Sequence, residues 1–170
     1  MSDSTKVFST RQEKMVAKQL GGYPVGGSGA MPGVPGDVKT YDWLVECKTH
    51  TEPGHNILFS AKVWKKIKEE AMVMHRKPVL VVDDGSQSAS NTWCLCNRHH
   101  VNFDHVFTSD WPVAIRTNLT GTDDKLKEAL RRASKHHSSD FYTDDAFDVQ
   151  WGEDRVAVMP LKLFKELFEK

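Results

Sequence analysis

Three cysteines are all that this chain of 170 residues carries. An odd count, with Cys94 and Cys96 one residue apart and Cys47 far from both, fits no disulfide framework, so reduced thiols are the expectation. No apolar run is long enough to span a bilayer, and the polar N-terminus lacks the apolar centre of a signal peptide. The expected setting is therefore soluble and cytoplasmic, with no membrane partner, and the Asn118-Leu119-Thr120 sequon should carry no glycan. Internal repeats and low-complexity tracts are missing, which excludes solenoids and arrays. Net charge is missing too, with 23 basic against 23 acidic residues. The two signs are unevenly divided, however: residues 1–80 hold 12 Lys and Arg against 8 Asp and Glu, and residues 81–170 hold 11 against 15. A phosphate backbone responds to local field rather than to net charge, so a nucleic-acid surface is expected in the first half, with the basic stretch 125–135 as the local exception in the second.

That half holds the most informative pattern, an aspartate at 37 and the triplet Glu46-Cys47-Lys48. The run Trp43-Leu44-Val45-Glu46-Cys47 reads as a buried strand. Alternation puts Glu46 and Lys48 on one face with Leu44, and Trp43, Val45 and Cys47 on the other. Asp37 opens a short strand, 37–40, and a tight connection near Tyr41 and Asp42 folds the two into a hairpin that brings Asp37 toward Glu46. Two carboxylates suit a hard cation such as Mg²⁺, which takes oxygen ligands, water and substrate phosphate. A lysine beside them orients an attacking water or neutralises charge developing at phosphorus. An isolated Glu-x-Lys is also what a surface ion pair looks like, so the surroundings have to decide.

Upstream, residues 10–20 read as a short helix closed by Gly21 and Gly22. Thr10 and Glu13 have capping-box spacing, and Glu13 is either that cap or a third acid over the metal pocket. The segment Gly26-Gly27-Ser28-Gly29-Ala30 is either a flexible turn or a backbone that approaches a phosphate and presents the Ser28 hydroxyl. Downstream, Ser60 has the features of an N-cap for a helix running to about His75, with Val63, Ile67, Ala71 and Met74 at core spacing and Lys62, Lys65, Lys66 and Lys68 on its outer turns.

The order Glu13, Ser28, Asp37, Glu46-Cys47-Lys48, basic helix, then the strand Val79-Leu80-Val81-Val82 resembles the PD-(D/E)xK nuclease core. Within that superfamily it is most similar to archaeal-type Holliday junction resolvases and their phage counterparts. The resemblance covers roughly residues 10–84 and resumes at 156–170, where a strand leads into a terminal helix. It implies an α/β fold with a restriction-endonuclease-like core, a central mixed β-sheet flanked by helices. The whole chain, 1–170, would be one nuclease domain, with core about 10–96 and 155–170 and an insertion at about 97–154 before the last strand and helix. By the same resemblance, Asp37, Glu46, the backbone carbonyl of Cys47 and Glu13 hold Mg²⁺ or Mn²⁺. Lys48 completes catalysis and Ser28 matches the family's loop serine. The implied DNA contacts are Arg11, Lys14, Ser28, Lys39, Ser60, Lys62, Lys65 and Lys66. The implied reaction is hydrolysis at four-way DNA junctions by a homodimer, leaving 5′-phosphate and 3′-hydroxyl ends. Trp64, Met72, Phe164 and Phe168 are its candidate interface residues, and each competes with burial in the core. The family's proline before the aspartate is replaced by Gly36, with Pro35 one position earlier, and a glutamine found after the Glu-x-Lys strand in some relatives has no obvious counterpart, Lys62 or Ser60 standing near its place.

Beyond Asp84 the pattern is less specific. Thr92–Cys96 reads as the hairpin partner of Val79–Asp83, 101–107 and 111–115 as short apolar pieces, 123–135 as a helix, and the acidic, aromatic 138–148 as a loop. Cys94, Cys96, His99 and His100, with His105, His136 and His137, raise a zinc site, against a core role for the alternating cysteines. Lys127, Arg131, Arg132 and Lys135 are a second DNA contact or a solvated helix face. Besides a junction-resolving nuclease, a PD-(D/E)xK nuclease of another habit and a non-catalytic DNA-binding or zinc-stabilised protein remain open.

Overall fold

The computed structural model describes residues 3–26, 34–101, 118–121, 125, 126, 128, 130 and 146–168. The first helix, α1 (Asp3–Leu20), starts well before Thr10. Thr10 therefore lies mid-helix and the capping-box reading of Glu13 falls. The early turns carry no apolar period, but they are tied down from elsewhere. Gln87 Nε2 donates to Phe8 O at 2.5 Å, and Ser9 Oγ turns back to Thr5 O at 3.1 Å, which satisfies a hydroxyl inside the helix. Val16, Ala17 and Leu20 form its buried stripe. Gly21, at φ 65°, ends it, and Gly22 N–H returns to Ala17 O at 2.9 Å, a Schellman-type closure.

The main sheet is mixed and seven-stranded. Its strands are β1 (Tyr23–Pro24), β2 (Val38–Lys39), β3 (Trp43–Lys48), β5 (Lys77–Asp83), β6 (Thr92–Asn97), β8 (Phe147–Trp151) and β9 (Asp154–Pro160). Their spatial order is β1-β2-β3-β5-β6-β9-β8. Only β3 and β5 run parallel, from Trp43 against Lys77 to Lys48 against Val82; every other pair is antiparallel. A smaller sheet pairs β4 (Ile57–Phe59) with β7 (Leu119–Gly121).

Alternation along these strands makes two cores. Trp43, Val45, Cys47, Val79, Val81, Cys94 and Cys96 pack under α1 and α3 (Leu161–Phe168), where Phe164 meets the Trp43 ring edge-on at 5.0 Å. Leu44, Leu80, Val82, Trp93, Leu95 and Phe147 pack under α2 (Ala61–Val73), together with Leu126 and Leu130, two residues four apart in helical conformation. Residues of this size contribute about 2 kcal/mol each when fully buried, so both faces of the sheet need their cover. The structure is α/β, a mixed sheet flanked by helices on both sides.

Ser60 caps α2 as expected, its hydroxyl accepting the Val63 N–H at 3.5 Å, and Asn118 Oδ1 accepts Ala61 N–H at 3.0 Å. The buried residues are Trp64, Ile67 and Ala71, with Val63 and Met74 half-buried against them. Trp64 and Phe164 are core residues, so neither offers an interface; Met72 does stay exposed, and the Phe168 side chain lies outside the described residues. Of the stretch 97–154 read as inserted, β8 joins the main sheet beside β9 and β7 joins the smaller one. The loop expected over 138–148 ends early, because Ala146, Phe147 and Asp148 are buried and β8 begins at Phe147. No described helix is long and apolar enough to cross a membrane.

Candidate active site

The sheet is interrupted where the motif lies. β2 pairs with β3 through only Val38 against Val45 and Lys39 against Leu44. Past Val45, no described strand pairs with this edge of β3. Asp37 sits at the interruption: its N–H donates to Val45 O at 2.7 Å, its carbonyl accepts Val25 N–H at 2.8 Å, and its Oδ2 accepts Cys47 N–H at 2.8 Å. A carboxylate thus replaces the next rung of the ladder. A strand residue's own N–H and C=O leave on the same side, so the Cys47 carbonyl issues from this edge beside Asp37.

The backbone before Asp37 accounts for a glycine rather than a proline at position 36. The Gly36 φ of 68° is left-handed, which proline cannot adopt, and a Cβ there would lie 2.6 Å from Leu44 Cδ1. The expected strand 37–40 is correspondingly shorter, Val38–Lys39, with Asp37 just outside it.

Glu46 and Lys48 share a face, as alternation requires. Lys48 Nζ donates to Glu46 Oε1 at 2.6 Å; the Glu46 side chain is 6% exposed and that of Lys48 48%. An ion pair is present, but its carboxylate is buried, unlike a pair on a solvated face. Burial first, and then the Asp37 charge, raise the Glu46 pKa, while Lys48 and Lys66 pull against them. Burial alone would lower the Lys48 pKa, yet Glu46 and Asp37 outweigh it and the ammonium is held charged, above its ordinary value. Glu13 comes from α1, and its pKa is pushed up to about 7 by burial, then by Asp37 and Glu46, against the opposing pull of Lys48. The three acids and the amine therefore act on one another electrostatically.

They do not form a finished cage. Among the described residues no group of three or more His, Cys, Asp or Glu side chains is arranged to hold an ion, because Asp37 is turned to Cys47 N–H and Glu46 to Lys48. Mg²⁺ needs less than that: one or two carboxylates with water and substrate phosphate suffice. The donor set fits such an ion. All its ligating atoms are hard oxygens, and burial, followed by the charge of Asp37, holds Glu13 and Glu46 above the ordinary carboxylate range, a cost that a divalent cation would offset.

The other expected residues fall differently. Arg11 and Lys14 line an open groove of about 550 Å³ along α1 with Lys6, Val7 and Thr10. Lys62 and Lys65 are exposed on α2, Lys39 is half-buried, and the Ser60 hydroxyl is occupied as a cap. Ser28 lies outside the described residues, as do His105, His136, His137, Lys127, Arg131, Arg132 and Lys135. Cys94 and Cys96 face the apolar core. Burial pushes the Cys96 thiol up to about 12 and Cys94 also upward, which opposes the thiolate that zinc requires. His100 packs edge-on against Trp43 at 6.0 Å, its pKa lowered to about 4 by burial, then by His99 and Lys77.

Two residues at the site went unnoticed in the sequence. Gln12 is 1% exposed and its Nε2 donates to Lys48 O at 2.7 Å, pinning the end of β3 to α1. Glu70 reaches from α2 to Gly36 N–H at 3.3 Å. Gln12 lies one turn before Val16 on the buried stripe of α1, and a polar residue on that stripe beside a suspected site acid was the one available signal. Comparison with protein-family models, with curated proteins and with solved structures finds no match to this chain.

Proposed function

We propose that this chain is a metal-dependent, structure-selective endonuclease with a restriction-endonuclease-like PD-(D/E)xK core, hydrolysing phosphodiesters at four-way DNA junctions. The observation that carries the reading is the pairing of Lys48 with buried Glu46 beside Asp37, which takes the Cys47 N–H at the edge of β3, with Glu13 near enough for their charges to act on it. Asp37, Glu46, the Cys47 carbonyl and Glu13 would hold Mg²⁺ or Mn²⁺. Such an ion, when bound, supplies Lewis-acid activation of a phosphodiester and of water. The chain's own part is positioning and charge. Lys48, held cationic on Glu46, is no proton acceptor at neutral pH; its work is to orient the nucleophile and offset charge growing at phosphorus. Gln12 fixes the strand end that carries it.

A four-way junction has two scissile strands related by approximate two-fold symmetry, which suits a homodimer with two sites. The expected setting is intracellular, and the three free, buried cysteines accord with it.

The test is cleavage of a synthetic four-way junction against linear duplex of matching sequence, with Mg²⁺, Mn²⁺ or EDTA. Metal-dependent preference for the junction is expected, with Glu46→Ala and Lys48→Ala binding junctions but not cutting them. Equal cutting of duplex would move the reading to another nuclease habit, and no cutting at all would leave a DNA-binding protein.

A further inference from the structure

Glu70 closes a chain of contacts that ends at the acids. Its Oε2 accepts the Gly36 N–H at 3.3 Å, and its Oε1 lies 3.6 Å from Lys66 Nζ, one turn earlier on α2. Gly36 is the residue before Asp37, whose own N–H and carbonyl are both bonded. Two contacts therefore link the Lys66 ammonium to the backbone that presents Asp37. Lys66 stands on α2, which packs on the face of the sheet opposite the one covered by α1, the helix of Glu13.

The lysines of α2 are not equivalent. Lys68 is committed to Asp154, 2.5 Å away, and lies over the Trp64 ring. Lys66 is 61% exposed, and its partner is a half-buried carboxylate four residues on and 3.6 Å away, a helix-surface pair of the kind that adds little to stability. An incoming phosphate can take it at small cost, while Glu70 keeps its bond to Gly36. A proline at position 36 could not make that bond, having no N–H. The glycine thus provides both the left-handed turn and the donor.

We propose that Lys66 contacts a substrate phosphate next to the one cleaved, and that Glu70 is a positioning residue keeping Lys66 and the Asp37 backbone in a common register. The proposal rests on the nuclease reading above and adds the strand-gripping residue to it. Lys48 serves the reacting phosphate and Lys66 its neighbour, as point charges that suit phosphate oxygens.

The experiment measures affinity for a fluorescent four-way junction by anisotropy in EDTA across a salt series, and single-turnover cleavage in Mn²⁺ at saturating protein. Lys66→Ala should reduce the steepness of log affinity against log salt by about 0.9, the signature of one lost phosphate contact, and slow cleavage about tenfold. Lys66→Arg should restore both. Glu70→Ala should slow cleavage at saturation by about tenfold with the salt slope unchanged, and Glu70→Gln, which still accepts from Gly36, should recover most of the rate. If Glu70→Ala proves unfolded by thermal melt, Glu70→Gln against Glu70→Lys decides, since only the first keeps the acceptor. An unaltered slope in Lys66→Ala, or a wild-type rate in folded Glu70→Ala or Glu70→Lys, overturns the proposal. A wild type that binds junctions without cutting them defeats the nuclease reading alone, and the salt slope still decides the role of Lys66.

Discussion

Replacing Glu13 by glutamine should make the metal-free protein more stable, and only at high pH. Glu13 has its pKa raised from 4.5 to about 7, through burial and the charges of Asp37 and Glu46. A rise of that size corresponds to roughly 3 kcal/mol against the ionised form. Because Glu13 is only half-buried, solvent screening brings the working figure to about 1–2 kcal/mol. The folded pKa lies above the unfolded one. Its contribution is therefore fully present below about pH 4.5 and lost as pH rises through about 7. Glutamine has no charge to lose, so Glu13→Gln and wild type should unfold at the same urea concentration at pH 4.5, and the variant should be the more stable at pH 8 in EDTA. Saturating Mg²⁺ should reverse that order, since an ion at 100 times its Kd stabilises the wild type by about 2.7 kcal/mol and the variant has lost a ligand. Urea titrations at two pH values with EDTA or Mg²⁺ supply all four comparisons. A variant no more stable than wild type at pH 8 in EDTA, or equal stabilisation of both proteins by Mg²⁺, would refute the reasoning.

Lys48→Ala should lower single-turnover cleavage by about 10²–10³-fold while junction affinity in EDTA falls little, as read by gel shift; a rate within threefold of wild type would remove Lys48 from the chemistry. Gln12→Ala leaves the Lys48 carbonyl without its side-chain donor, so the urea midpoint should drop by the equivalent of about 1–3 kcal/mol. Cleavage should fall with it, because the strand end is no longer pinned. Gly36→Ala combines a left-handed backbone with a Cβ 2.6 Å from Leu44 Cδ1, so a loss of about 2 kcal/mol or more is expected in thermal or urea unfolding; Gly36→Pro should be worse, and a wild-type midpoint for either would contradict the turn described.

What the sequence disclosed and what it hid follow from where each interaction lives. β3 and β5 were legible because their apolar runs are short, β-branched and bounded by turns, and the faces of Glu46 and Lys48 follow from alternation alone. Ser60 was legible as a cap because capping is local. The start of α1 was not, since its early turns are held by Gln87, 79 residues away. Gln12 and Glu70 were hidden for the same reason: their partners are 36 and 34 residues distant. β8 alternates Phe147, Val149 and Trp151 inward, yet its setting among acids masked the period. Asp148 is tolerated there because Arg155 on the neighbouring strand grips it from two nitrogens, at 2.5 to 3.2 Å.

The interruption of β2 is what lets one sheet carry both a core and a site. Had the ladder continued, main-chain partners would have taken the Cys47 N–H and carbonyl, and neither α1 nor α2 could have brought charge to that edge. Because β2 pairs for only two rungs, an Asp37 oxygen takes the N–H, the carbonyl faces the same edge, and the helices of Glu13 and Lys66 cover opposite faces of the sheet beside it. An open strand edge is ordinarily an invitation to pair with another chain, and charged side chains are the usual protection. The acids and lysine at this end of β3 thus also guard its edge. Their cost in stability is bearable because they gather around one end of β3, before which Leu44, Val45 and their neighbours are sealed on both faces.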